Sequence, residues 1–214
     1  MHTEVMETNP AYERLLQDYS DYHLALVVVG GVFMLALLAL AVVSWVRFRR
    51  APRVFERRTH LVFALGSTGV GLLLALVVAA NLSNVLNPTQ GLAGAIGTPG
   101  DLKPAASADL TRSLTAWLRS GSADVPPLIQ GEVDARLAWQ EPKAVISTLL
   151  LVAFVAVSVY LWRGAIARSR AGHRVLGRAL AGSATLLASF VLILMVMGNA
   201  QASYAPIVMT LLFG

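Results

Sequence analysis

Four stretches of this sequence, 24–46, 61–100, 144–162 and 179–214, contain no Asp, Glu, Lys or Arg. A helix rises about 1.5 Å per residue and the hydrocarbon layer of a bilayer is about 30 Å thick, so roughly 20 apolar residues make one crossing. Each stretch supplies at least one. Charged residues are 14% of the chain, where a soluble domain carries about 25%. The expected fold is all-α: a polytopic membrane protein with transmembrane helices over 24–46, 61–86, 144–162 and 179–199. The first apolar run is expected to stay in the protein rather than act as a cleaved signal, because acids precede it and arginines close it.

The charged residues lie in blocks between these runs. Residues 1–23 carry five acids against Arg14, and 101–143 carry six acids against five bases. Residues 47–60 hold Arg47, Arg49, Arg50, Arg53, Arg57 and Arg58 against Glu56, and 163–178 hold Arg163, Arg168, Arg170, Arg174 and Arg178 with no acid. Basic residues in short loops remain on the cytoplasmic side. Four crossings let both arginine-rich loops face the cytoplasm, where they meet anionic lipid headgroups. The N-terminal segment, the central loop 87–143 and the tail 200–214 are then extracytoplasmic, the tail returning to the membrane surface after Pro206. Nucleic acid is not expected as a partner. Fifteen of the seventeen basic residues are arginine, a bias that points to a GC-rich bacterial genome and hence to a plasma membrane.

Within this layout, Asn9 and Pro10 read as the N-cap and first residue of a helix. Tyr12, Leu15, Leu16, Tyr19, Tyr22 and His23 recur at helical spacing, so an amphipathic lead-in is expected to run into the first span. The central loop is far longer than the 2–8 residues that typically join bundle helices. Residues 107–121 predict a short helix from Ser107 to Gly121 with Leu110, Leu114, Trp117 and Leu118 on one face. Residues 126–142 predict a second, with Ile129, Val133 and Leu137. The two would form a small extracytoplasmic cap, with Trp117 and Trp139 as a candidate partner surface.

Two echoes suggest tandem helical hairpins. Trp45 and Trp162 each stand just before an arginine block, and Asn81–Pro88 and Asn199–Pro206 share a seven-residue spacing. Small residues also line up at four-residue steps: Ser67, Gly71, Ala75, Ala79 and Ser83 in the second span, Gly177, Ala181, Thr185 and Ser189 in the fourth. Such ridges let helices approach closely in lipid, and the expectation is that they pack on each other or form a homo-oligomer seam.

Chemistry is harder to find. No ionisable residue falls inside a span, where one would mark a proton or ion pathway. There is no cysteine, no HExxH, no GxSxG and no Walker loop. The outer acids alternate with bases, as on a solvated, salt-bridged surface. No catalytic residue, metal or cofactor is therefore expected. The leading reading is a non-enzymatic membrane protein acting through contacts with another membrane protein or a second copy: an accessory, regulatory or immunity-type subunit. An oligomeric channel or small transporter, with Asn81, Asn84 and Asn199 at its mouth, is the alternative. A membrane-embedded enzyme stands third.

Overall fold

A computed structural model describes residues 9–96 and 108–213. Among these, every regular element is an α-helix: α1 (Pro10–Arg50), α2 (Val54–Leu86), α3 (Pro88–Ile96), α4 (Ala108–Ser120), α5 (Pro127–Arg170), α6 (Leu176–Tyr204) and α7 (Pro206–Phe213). Four of them, α1, α2, α5 and α6, are long and apolar enough to cross a membrane. No more than 28% of the apolar window in any of these four is buried. Apolar helices so open to their surroundings suit a multi-pass membrane protein rather than a body packed for water.

The helix ends follow from local chemistry. At the start of α1 the Asn9 carboxamide oxygen accepts from the Tyr12 backbone N–H at 3.1 Å, the bond expected of an N-cap. α4 stops at Gly121, whose φ of +66° suits only a residue without Cβ. α5 stops at Gly172, φ +77°, with His173 N–H donating to Arg168 C=O at 3.0 Å and Gly172 N–H to Ser169 C=O at 3.1 Å. That pair of bonds is a Schellman cap.

Several boundaries differ from those the sequence leads one to expect. The second short helix of the central loop and the third span are one element, because α5 continues through Pro142 without a break. Proline removes one backbone donor and disfavours a helical residue before it, and α5 nevertheless runs on through Pro142. The arginine-rich segments are likewise mostly helical: Arg47–Arg50 end α1, Arg57 and Arg58 sit in α2, and Arg163–Arg170 end α5. Ser107, the expected cap of α4, lies outside the described residues.

The chain divides into two compact units. The first comprises Met1–Val28, Ala79–Lys143 and Gly198–Gly214. Its apolar core joins Ala11, Leu15 and Tyr19 of α1 to Leu92 of α3, Leu110, Leu114 and Trp117 of α4, Ile129 and Val133 of α5, and Ile207 and Val208 of α7. The C-terminal segment thus packs into this core, with Val208 only 1% exposed. Pro206 starts a new helix after the single non-helical residue Ala205.

The second unit, Val29–Val78 with Ala144–Met197, is built the other way round. Its buried positions are mostly small: Ala41, Ser44, Ala64, Ser67, Gly71, Ser147, Ser158, Ala165, Gly182 and Ser189. Its exposed ones include Val32, Leu35, Val42, Leu73, Leu76 and Leu149. Small residues inside and branched ones outside are the pattern for helices that associate by close packing in lipid. Two of the buried hydroxyls donate back along their own helix, Ser189 to Thr185 C=O at 2.8 Å and Ser147 to Ala144 C=O at 3.2 Å.

Gly71 is the tightest point of α2, since a Cβ there would stand 3.0 Å from Leu38 Cδ2 and 3.7 Å from Leu37 Cβ. A side chain at Gly69 would meet nothing within 4 Å, and Leu73 is 64% exposed. Gly71→Leu should therefore destabilise the protein by about 1–3 kcal/mol through overpacking, whereas Gly69→Ala and Leu73→Ala should change stability by less than about 0.5 kcal/mol. Thermal unfolding in detergent micelles measures this. Equal losses in all three variants would show that α1 and α2 do not meet at Gly71.

Candidate functional site

In the first unit, α7 begins with Ala205 and Pro206, neither of which offers a capping side chain. The cap comes from 190 residues earlier: the Asp18 carboxylate accepts from the Val208 N–H at 2.7 Å in a buried setting. The Ile207 N–H also lies close enough to lower the carboxyl's pKa. A carboxylate at a helix N-terminus satisfies orphan donors and suits the positive end of the dipole. Burial acts in the opposite sense and wins, so the Asp18 pKa is pushed up to about 6, with Asp21 adding to the rise. Asp18 floors a cleft of about 280 Å³ rimmed by Arg14, Gln17, Asp21 and Gln130.

A second polar group lies further along α1. His23 Nδ1 is 2.6 Å from Asn81 Oδ1. A carboxamide oxygen only accepts, so Nδ1 carries the hydrogen. Nε2 is buried with no hydrogen-bond partner among the described residues. The rings of Tyr19 and Tyr22 meet the imidazole edge-on at 4.5 and 5.0 Å. Gly91 is needed nearby, because a Cβ at that position would lie 2.6 Å from the Tyr19 hydroxyl. Gln201 Nε2 reaches Tyr22 C=O at 3.5 Å.

The residues singled out from sequence fall as follows. Asn81, Asn84 and Asn199 all belong to the first unit and are half-buried. Trp117 is 2% exposed and forms part of the core, its indole N–H donating to Ser122 C=O at 2.9 Å. It therefore presents no partner surface, since helical spacing puts it on the same inward face as Leu110 and Leu114. Trp139 is 66% exposed, with the Lys143 ammonium 4.2 Å from its ring centroid.

The ridges divide. Ser67 and Gly71 are buried, Ala75 is half-buried, and Ala79 and Ser83 are exposed. In α6 Ser189 is buried and Thr185 half-buried, while Gly177 and Ala181 are exposed. The inward strip of α6 is instead Gly182, Thr185 and Ser189, with Gly182 against Trp162, whose indole nitrogen would be 2.9 Å from a Cβ there. Gly71 meets Leu38 of α1. A four-residue step drifts around a 3.6-residue helix, which is why one strict ridge cannot stay inside for its whole length.

The arginine-rich segments meet each other in the second unit. Arg53 donates to Ser169 C=O at 2.9 Å and to Arg170 C=O, closing the end of α5. Arg170 forms a two-bonded ion pair with Glu56. That guanidinium holds the Glu56 carboxyl below its usual range. Arg57 lies 5.1 Å from the Phe48 ring centroid and Arg178 lies 6.0 Å from that of Tyr160. The guanidinium groups of Arg49, Arg58, Arg168 and Arg174 make no hydrogen bond or ion pair among the described residues.

No group of three or more His, Cys, Asp or Glu side chains among the described residues is placed to hold a metal ion. No protein-family model matches the chain, and no curated protein or solved structure is significantly similar to it.

The Asp18 cap generates a pH dependence. Its pKa is higher in the folded protein than the 3.8 of a free aspartate, so the folded state binds its proton more tightly. The associated stability is fully present below about pH 4 and is lost as pH rises through about 6. Asp18→Asn keeps an acceptor for Val208 and should abolish that dependence. Asp18→Ala leaves the Val208 N–H buried without a partner and should cost about 1–2 kcal/mol. Thermal unfolding in micelles at pH 4.5 and 7.5 reads both. An unchanged pH profile in Asp18→Asn would show that another group is responsible.

Proposed function

We propose that this protein is a non-enzymatic, four-pass membrane protein that acts through contacts with another membrane protein or a second copy of itself. In this reading it is an accessory, regulatory or immunity-type subunit of a bacterial plasma membrane. The arginine-rich ends face the cytoplasm, and the first unit forms the extracytoplasmic cap. The supporting observation is that this unit has an apolar core of its own, drawn from α1, α3, α4, α5 and α7. Crossing a membrane requires no such body. A folded platform outside the spans is suited to recognition, and its exposed side on α5 carries Leu128, Glu132 and Trp139.

The channel alternative draws on the three asparagines. The His23 imidazole already engages the Asn81 carboxamide oxygen, which favours a structural use of that side chain over a free pore lining.

Photo-crosslinking side chains at Leu128, Glu132 and Trp139 test the contact reading in living cells, with Leu73 as a lipid-facing control. The expected result is one discrete protein adduct from the cap positions and none from Leu73. The purified protein in liposomes should conduct no ion or small solute above the level of empty vesicles. Flux above that level, with no adduct at any cap position, would transfer the function to the spans.

A further inference from the structure

The loop arginines divide into those whose side chains have partners among the described residues and those whose side chains have none there. Arg53, Arg57, Arg170 and Arg178 are engaged by carbonyls, an aromatic ring or Glu56. The guanidinium groups of Arg47, Arg50 and Arg163 make no hydrogen bond or ion pair among the described residues. All three line a single cavity of about 530 Å³ within the second unit.

The one carboxylate in that cavity is Glu56, buried and held at both oxygens by Arg170. It is therefore committed to one guanidinium, leaving three positive charges around a shared space with no second carboxylate among the described residues that line it. Like charges gathered in this way repel unless an anion joins them. A guanidinium presents a planar fork of donors that matches phosphate oxygens two at a time.

We propose that this cavity is a binding site for a phosphate group, carried by the headgroup of an anionic phospholipid. The position of the arginines argues for lipid as the source. Arg47 and Arg163 each follow directly on an uncharged apolar run, 24–46 and 144–162, and so stand at the depth where phospholipid phosphates lie. Pro52 and Ile166 give the cavity carbon walls beside its charges, as a glycerol backbone requires. Basic pockets between transmembrane helices on the cytoplasmic side are a known mode of headgroup binding. The inference rests on the four helices crossing a bilayer and not on the partner proposed for the cap.

The test uses the full-length protein in neutral detergent micelles, with phosphatidylglycerol, phosphatidylcholine and inorganic phosphate as separate probes. Native mass spectrometry counts retained lipid, and thermal unfolding reports stabilisation. Phosphatidylglycerol should bind in preference to phosphatidylcholine. The double variant Arg47→Gln/Arg163→Gln should weaken phosphatidylglycerol binding about tenfold more than Arg58→Gln/Arg174→Gln, which removes the same charge outside the cavity. Where the glutamine pair does not purify as a single species, Arg47→Lys/Arg163→Lys keeps the charge and removes the forks, and should still bind more weakly than the control pair. Equal losses in cavity and control pairs would reduce the site to general surface attraction and overturn the proposal. Stabilisation by millimolar inorganic phosphate equal to that by phosphatidylglycerol would overturn the lipid source.

Discussion

Hydrocarbon offers a buried charge neither water nor counter-ions, and the rest of this structure is arranged around that exclusion. The four long apolar helices turn large valine and leucine side chains outward, as suits a solvent as apolar as they are. What remains to hold the helices together is close contact, which is why the interior positions of the second unit are mostly alanine, serine and glycine. Gly71 against Leu38 and Gly182 against Trp162 are two places where one more carbon would crowd a neighbouring helix. The same exclusion drives every arginine of the two basic segments to one end of each apolar run. There Glu56 and the carbonyls of α5 tie the two segments to each other.

The first unit solves a different problem. Its pieces are short, and α7 has only eight residues. Helices of that length are marginal by themselves, so tertiary packing must supply their stability. Ile207 and Val208 provide that packing, and Asp18 provides the acceptor that the sequence before α7 lacks. Burying the carboxylate raises its pKa, and the capping bonds only partly offset the rise. The interaction that docks α7 is thus also one whose contribution to stability falls as pH rises through about 6. A neighbouring tie joins α1 to α4, where the Asn9 carboxamide nitrogen donates to Leu118 C=O at 2.7 Å.

Much of the helical outline is legible in the sequence because it depends on residues close together in the chain. Charge-free runs mark the long apolar helices, Asn9 before Pro10 marks a start, and Gly121 after Leu118 marks a stop. The face of Leu110, Leu114 and Trp117 follows from helical spacing alone. Trp117 was nevertheless readable as a surface residue, because spacing shows that a face is apolar without showing what covers it. Asp18 was hidden for the opposite reason. It stands among five acids on an amphipathic segment, and its partner is 190 residues away. The continuity of α5 through Pro142 was obscured because local signals favour a break there. The arginines were visible as a group, but only side-chain contacts separate Arg47, Arg50 and Arg163 from those already paired.

The central proposal is that four spans carry both arginine segments to one side of a membrane and the positions of Glu13 and Glu132 to the other. The chain contains no cysteine, so single replacements report without background. Glu13→Cys and Glu132→Cys place a thiol on exposed positions of the first unit, while Arg58→Cys and Arg174→Cys place one in each arginine segment. A membrane-impermeant maleimide added to intact cells should label the first two and leave the last two unlabelled until the membrane is opened. Labelling of Arg58→Cys and Arg174→Cys alone would invert the orientation, and labelling of only one of them would contradict the four-span account itself.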